Sequence, residues 1–258
     1  MINVYDIIIF TNKKRGTNMF VEHKFYVGLR DINKNKELSN TGLLSYLEDI
    51  ASMHSEMVGF GISNMEEVKK TWILLSWKIK ILKRPKFNDI ITIKTWSRLI
   101  EKFYAFRDFC IYDSNDELIC IATSKWIFID TERGKIVRVA DDIIQKYEQE
   151  SISVFEEKDL QKLEEPENYI DKVDYKITKN MIDINNHLHN IYYLDIAKEV
   201  LPEEDAFYHE SNEFEVMYKN EVKLGETVKA CYSQQNNCKY VTIKNLDETN
   251  VHAIIKLK

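Results

Sequence analysis

Residues 183–190 read Asp183-Ile184-Asn185-Asn186-His187-Leu188-His189-Asn190, a run in which groups able to accept, donate and exchange protons crowd together. In an extended segment, period-2 spacing sends Asp183, Asn185 and His187 to one side, where all three can line one pocket. Imidazole is the side chain whose ordinary pKa permits proton transfer near neutrality, and an adjacent carboxylate or amide can fix its tautomer. A helix expected to start near Asn190 would point unpaired backbone N–H groups back at this segment, where they could hold a carbonyl oxygen as it gains negative charge. The plainer alternative is a turn, with Asp183 and Asn185 as turn residues and Asn190 as a helix N-cap. A metal would have to draw on Asp183, His187 and His189. No further His or Cys cluster follows them, so neither metal nor cofactor is expected.

The elements that must position this segment belong to a chain of 258 residues, 44% hydrophobic and 12% aromatic, enough for one large core or two ordinary ones. The formal charge of −6 leaves neither half with the basic excess that phosphate neutralisation needs, so nucleic acid is not an expected partner. Cys110, Cys120, Cys231 and Cys238 form no CxxC pair and read as reduced core thiols. The apolar run Ile7–Phe10 falls far short of the roughly 20 residues a bilayer span requires, and Asp6 precedes it where a signal peptide would be basic. The expected location is the cytoplasm.

Leu43, Leu44, Leu47, Ile50, Ala51 and His54 recur at helical spacing and predict a core helix over Leu43–Val58. Runs rich in β-branched and aromatic residues then predict strands at Trp72–Leu82, Ile90–Arg98, Phe103–Tyr112 and Leu118–Ile129. A stretch rich in Glu, Lys and Gln, residues 141–168, predicts a linker with a weakly amphipathic helix. After it the order repeats: a short strand at Tyr175–Ile177, a helix at Asn190–Val200, and strands at Glu213–Tyr218, Glu226–Ser233, Lys239–Asn245 and Val251–Leu257.

Local echoes support a duplication: Asp31-Ile32-Asn33-Lys34-Asn35 with Asp183-Ile184-Asn185-Asn186-His187, Tyr46-Leu47-Glu48 with Tyr193-Leu194-Asp195, and Lys86-Phe87-Asn88-Asp89 with Lys223-Leu224-Gly225-Glu226. In this alignment Asn35 stands where the second copy has His187, so the turn itself does not require histidine. The layout predicts an α+β protein of two tandem hot-dog domains, each a long helix wrapped by an antiparallel sheet, over residues 1–140 and 169–258 with the linker between them.

With those elements in order, the chain resembles the acyl-ACP thioesterases of plants and bacteria, ACP being acyl carrier protein, from about Glu22 to near the C-terminus. Lys83-Arg84-Pro85-Lys86-Phe87-Asn88-Asp89 with Ile93-Lys94-Thr95-Trp96 is similar to that family's RYPKWGD…V.TW passage, and Arg107-Asp108-Phe109 through Ala122-Thr123-Ser124-Lys125-Trp126 to its R.D…A.S.W pattern. Asp183, Asn185 and His187 fall on its D-x-N-x-H stretch, His189 departs from the usual Asn, and Tyr218-Lys219-Asn220-Glu221-Val222 resembles YRREC. The resemblance implies Asp183, Asn185, His187 and Glu221 as catalytic residues, with water attacking the thioester directly. Val222 replaces the family's cysteine, which implies no covalent cysteine step.

The resemblance further implies an acyl chain lodged largely in the first domain and an acidic carrier, for which Lys78, Lys80, Lys83, Arg84 and Lys86 form one candidate surface. One chain with two units would act as a monomer (a pseudo-dimer of hot-dogs) or pair again as a homodimer. The rival readings are a hot-dog thioesterase acting on acyl-CoA or aryl-CoA, a non-enzymatic acyl-binding sensor, and a hot-dog dehydratase or hydratase. Residues 1–18 precede the resemblance and are read as an arm outside it.

Overall fold

The computed structural model describes residues 20–258; the Ile7–Phe10 run and the arm expected over residues 1–18 lie outside the described residues. In chain order the elements are β1 (Val21–Tyr26), α1 (Asn40–Met57), α2 (Met65–Val68), β2 (Lys70–Ile81), β3 (Ile90–Glu101), β4 (Tyr104–Tyr112), β5 (Leu118–Asp130), β6 (Lys135–Ile136), α3 (Asp141–Lys146), β7 (Asp171–Lys176), α4 (Tyr192–Lys198), α5 (Glu203–Phe207), β8 (Glu213–Tyr218), β9 (Thr227–Gln235), β10 (Cys238–Asn245) and β11 (Val251–Leu257). Alternation decides the strands: in β2 Trp77, Ile79 and Ile81 are buried while Lys78 and Lys80 turn to the other face, and a bulge between Leu74 and Ser76 resets the register.

Strand order runs β1-β3-β4-β5-β2-β8-β11-β10-β9-β7 in one antiparallel sheet, with β6 added to β5. Each half places its strands first, third, fourth, fifth, second, and the two second strands meet in the middle, where Ser76 pairs with Met217 and Lys80 with Glu213. The hot-dog sheet is thus continuous across both copies, and the centre of the molecule is the β2–β8 seam. Strand β1, which the sequence reading did not pick out, closes the outer edge of the first half by pairing Val21–Tyr26 with β3.

Helix α1 buries the face its spacing predicts, Leu43, Leu44, Leu47, Ile50, Ala51 and His54, against the sheet. Ser39 caps it, its Oγ accepting from Gly42 N at 3.0 Å. Gly42 is required by close approach: a Cβ there would lie 2.6 Å from the carbonyl oxygen of Asp31. The second half's helix is much shorter than the expected Asn190–Val200. Helix α4 has seven residues, its entry is tightened by i→i−3 bonds, and Leu201-Pro202 disfavours helical continuation.

The stretch after β6 also differs from expectation. Only Asp141–Lys146 is helical, and the rest is an irregular strap sewn onto the outer face of the first half. Trp96 donates to Ile152 O at 2.9 Å, Val154 N to Asp108 Oδ2 at 2.9 Å, and Arg98 to Lys158 O at 3.0 Å. Burial pushes the Asp108 carboxyl pKa up, opposed by Arg98 at 3.2 Å and Thr123 at 2.6 Å. The expected linker residues therefore contribute core, with Tyr147 and Val154 both buried. All four cysteines are free and buried, and among the described residues no helix is long and apolar enough to cross a membrane.

Candidate active site

The loop 183–190 is built by the side chain at its first position. Asp183 Oδ1 accepts from the N–H groups of Asn185 (2.8 Å) and His187 (3.1 Å), and its Oδ2 accepts from Asn185 Nδ2 (3.3 Å). Asp183 N donates to His187 O at 2.8 Å and Asn186 N to Asp183 O at 3.1 Å, closing a turn in which Asn186 takes φ 62°. That left-handed conformation suits asparagine better than most residues. Leu188 N then donates to Val222 O at 2.8 Å and His187 bridges to Lys223, which lays the loop beside the segment leaving β8.

That segment carries the second carboxylate. Lys219 N bonds to His252 O at 2.8 Å and Asn220 Nδ2 to Val251 O at 2.7 Å, fixing the chain just past β8. Glu221 Oε2 reaches His187 Nε2 at 3.1 Å, while Lys223 Nζ stands 3.7 Å from Glu221 Oε1. Glu221 borders a polar depression of about 540 Å³ that also involves Lys219, Lys223, Glu226 and His252. Asp183, Asn185, His187 and Glu221 are thus gathered at one place, the first two as turn builders and the last two in side-chain contact. Val222 is fully buried and presents no nucleophile.

Two expectations change. The N–H groups of Tyr192, Tyr193 and Leu194 are taken by His189 O, Asn190 O and Ile191 O at 3.0, 3.3 and 3.2 Å, so the first helical turn does not offer them to the loop. Asn190 N, two residues before Tyr192, has no acceptor among the described residues. The basic run is partly engaged within the chain: Lys78 pairs with Glu157 at 2.9 Å, Lys80 with Glu213 at 3.4 Å and Lys83 with Asp113 at 2.7 Å, Arg84 is directed inward, and Lys86 is exposed.

The first half holds the same loop with different side chains. Asn33 N donates to Glu37 O at 2.8 Å, Lys36 N to Asn33 O at 3.0 Å, and Asn33 Oδ1 accepts from Asn35 N at 2.9 Å and Glu37 N at 3.1 Å. Lys36 takes φ 62°, Leu38 N donates to Pro85 O, and Glu37 bridges to Lys86. Bond for bond, Asn33 corresponds to Asp183, Asn35 to Asn185, Glu37 to His187 and Arg84 to Glu221. The repeated letters Asp-Ile-Asn had suggested a register shifted by two residues; the structural equivalent of Asp31 is Met181, both of whose carbonyls accept from the residue that follows the loop's leucine.

The first-half loop is also blocked. Asn40 N donates to Glu210 Oε2 at 2.6 Å, and Arg84 donates to Leu38 O (2.7 Å), Asn40 Oδ1 (3.0 Å), Ser211 O (3.0 Å) and Asn212 Oδ1 (2.9 Å). Sequence reasoning missed Glu210 and Arg84 in this role, since the bonds Glu210 makes to Asn40 and Arg84 makes to Ser211 and Asn212 span more than a hundred positions along the chain.

Comparison with known proteins agrees with this architecture. Residues 18–147 match the model of the acyl-ACP thioesterase N-terminal domain and residues 163–258 that of the C-terminal domain. The chain is 24% identical over 249 residues to the chloroplastic oleoyl-acyl carrier protein thioesterase of Coriandrum sativum, covering 90% of this chain and 67% of that protein. To oleoyl-acyl carrier protein thioesterase 1 of Arabidopsis thaliana it is 26% identical over 224 residues, covering 80% of this chain and 62% of that one. It therefore spans roughly two thirds or less of these plant relatives. In fold it is similar to the crystal structure of an acyl-ACP thioesterase from Bacteroides thetaiotaomicron, with TM-score 0.81, 22% identity and coverage of 93% of this chain and 97% of that one. With both domain models matched in order over most of its length, the chain belongs to the acyl-ACP thioesterase family.

Proposed function

We propose that this chain hydrolyses fatty acyl-ACP to the free fatty acid and holo-ACP, with Asp183, Asn185, His187 and Glu221 as its catalytic group. The observation that carries the site assignment is the 3.1 Å contact between His187 Nε2 and Glu221 Oε2 at the rim of an open polar depression. Glu221 is the carboxylate suited to act as base, because both oxygens of Asp183 are engaged by N–H donors of the turn.

In the proposed reaction Glu221 takes a proton from water as the water oxygen bonds to the thioester carbon. The carbonyl oxygen becomes anionic and is stabilised by N–H donors at the loop, for which the unengaged Asn190 N and the second N–H of Asn185 Nδ2, whose first is given to Asp183, are the available groups. The tetrahedral species collapses with cleavage of the C–S bond, and His187, relaying the proton from Glu221, delivers it to the departing thiolate. One water is consumed, and one acid and one thiol are formed.

In this reading the two halves divide the work, residues 1–140 lodging the acyl chain, 141–168 connecting, and 169–258 performing the chemistry. A single chain is the smallest active assembly, and the reaction takes place in the cytoplasm. The test is hydrolysis of a chain-length series of acyl-ACPs beside the matching acyl-CoAs. Release from acyl-ACP, with kcat lowered by about 10²–10⁴-fold in His187→Ala and in Glu221→Ala, is the expected result. Turnover confined to acyl-CoA would replace the carrier, and near-wild-type turnover in both variants would remove the site assignment.

A further inference from the structure

We propose that Glu48, on helix α1 of the first half, is a positioning residue for the catalytic loop of the second half and acts through His189; this rests on the functional reading above. The two histidines of the loop diverge. His187 Nε2 meets Glu221 beyond β8, whereas His189 Nε2 meets Glu48 Oε2 at 3.0 Å. The loop is thereby held from both sides by His–Glu contacts, one within its own half and one across the molecule.

The second contact is the more enclosed at its acidic end. The Glu48 side chain is 15% exposed, against 55% for Glu221. Its other oxygen, Oε1, is buried and has no hydrogen-bond partner among the described residues. A buried carboxylate requires a charged, hydrogen-bonded partner, and His189 is the one in place. The bond from Glu48 is the largest cause raising the His189 pKa, burial opposes it, and Asp183 and Asp49 add to the rise.

The groups facing His189 from each element are Glu48 and Asp49 of α1, Asp183 of the loop, and Tyr192 of α4, whose ring centroid lies 6.2 Å away. Beyond them Tyr218, partly buried on β8, donates its hydroxyl to Asn190 O at 3.2 Å and holds the residue that follows His189. The contact is strongest with His189 protonated. As pH rises through its elevated pKa the imidazolium is lost, the Glu48 charge is left uncompensated, and the loop carrying His187 loosens. The residue usual at this position in the family, asparagine, would not supply that charge.

The test compares the full chain with Glu48→Gln, His189→Asn and the double variant. The imidazole resonance of His189, identified by its absence in His189→Asn, is titrated by NMR, and kcat and KM on acyl-ACP are followed against pH. In Glu48→Gln the His189 titration should move to lower pH. Each single variant should lower kcat about tenfold with KM nearly unchanged, short of the ~100-fold loss that a misplacement of about 1 Å brings. Each should also flatten the alkaline decline of kcat, and the double variant should be no worse than the poorer single one. An unmoved titration, or a moved titration with wild-type kcat and pH profile, would overturn the proposal. A wild-type chain that hydrolyses no acyl-ACP removes the functional reading and this inference with it, a result the NMR arm separates from failure of the contact itself.

Discussion

The loops at 33–40 and 183–190 make the same backbone hydrogen bonds, at distances that agree within about 0.1 Å, yet they are equipped for opposite purposes. In the first half a carboxylate, Glu37, stands where the second half has the imidazole of His187. The guanidinium of Arg84 stands where the second half has the carboxylate of Glu221. The first-half helix entry is filled, Asn40 N being bonded to Glu210, whereas Asn190 N is unengaged among the described residues. The shared turn is therefore scaffold, and in the proposed function catalytic capacity belongs to the side chains mounted on it.

The strongest way to break this comparison is to alter equivalent positions. His187→Ala should cost about 10²–10⁴-fold in kcat, while Glu37→Ala should leave kcat within about twofold, both measured by steady-state hydrolysis. Next in size, Arg84→Met should lower stability by about 3 kcal/mol in a denaturant titration, because it strips donors from carbonyls drawn from both halves, with little change in kcat of the molecules that remain folded. Glu221→Gln, its counterpart, should show the reverse, a loss of kcat with Tm nearly unchanged.

The first half keeps one buried imidazole of its own, His54, whose pKa is lowered to about 3 by burial and by the neighbouring Arg107 at 2.8 Å. Its depressed pKa means that the stability it contributes is fully present above the unfolded histidine value of about 6.5. That stability is lost as pH falls toward 3, at about 1.4 kcal/mol per pH unit. Urea unfolding between pH 7 and pH 4 should show this slope reduced in His54→Gln. The smallest effect separates shape from charge at Asp183. Asp183→Asn should keep the turn, as Asn33 does, and lower kcat about tenfold, whereas Asp183→Ala should also cost about 1 kcal/mol of stability by leaving the N–H groups of Asn185 and His187 without their acceptor.

Much of this was readable in the chain because alternation and helical spacing are local. Strands β8 and β11 begin and end where the pattern placed them, and the five apolar positions of α1 together with His54 lie on its buried face. The register of the repeat was not readable, because identical letters at Asp31 and Asp183 outweighed the hydrogen-bond pattern that makes Asn33 the true equivalent. Arg84 read as a surface cation because it sits in a basic run, and only folding brings Ser211 and Asn212 to it. The role of Glu48 was not legible for the same reason, its partner His189 lying in the other half. The strap after α3 was legible as a connector by composition but not as a cover for Trp96 and Asp108.

The central claim, that thioester hydrolysis belongs to the second-half loop alone, is tested most directly by single-turnover hydrolysis of one acyl-ACP by His187→Ala and Glu37→Ala side by side, with circular dichroism confirming that both are folded. Release of fatty acid by Glu37→Ala at close to the wild-type rate, with a loss of at least about a hundredfold in His187→Ala, is the expected result. Equal impairment of the two variants, or full activity in both, would contradict it.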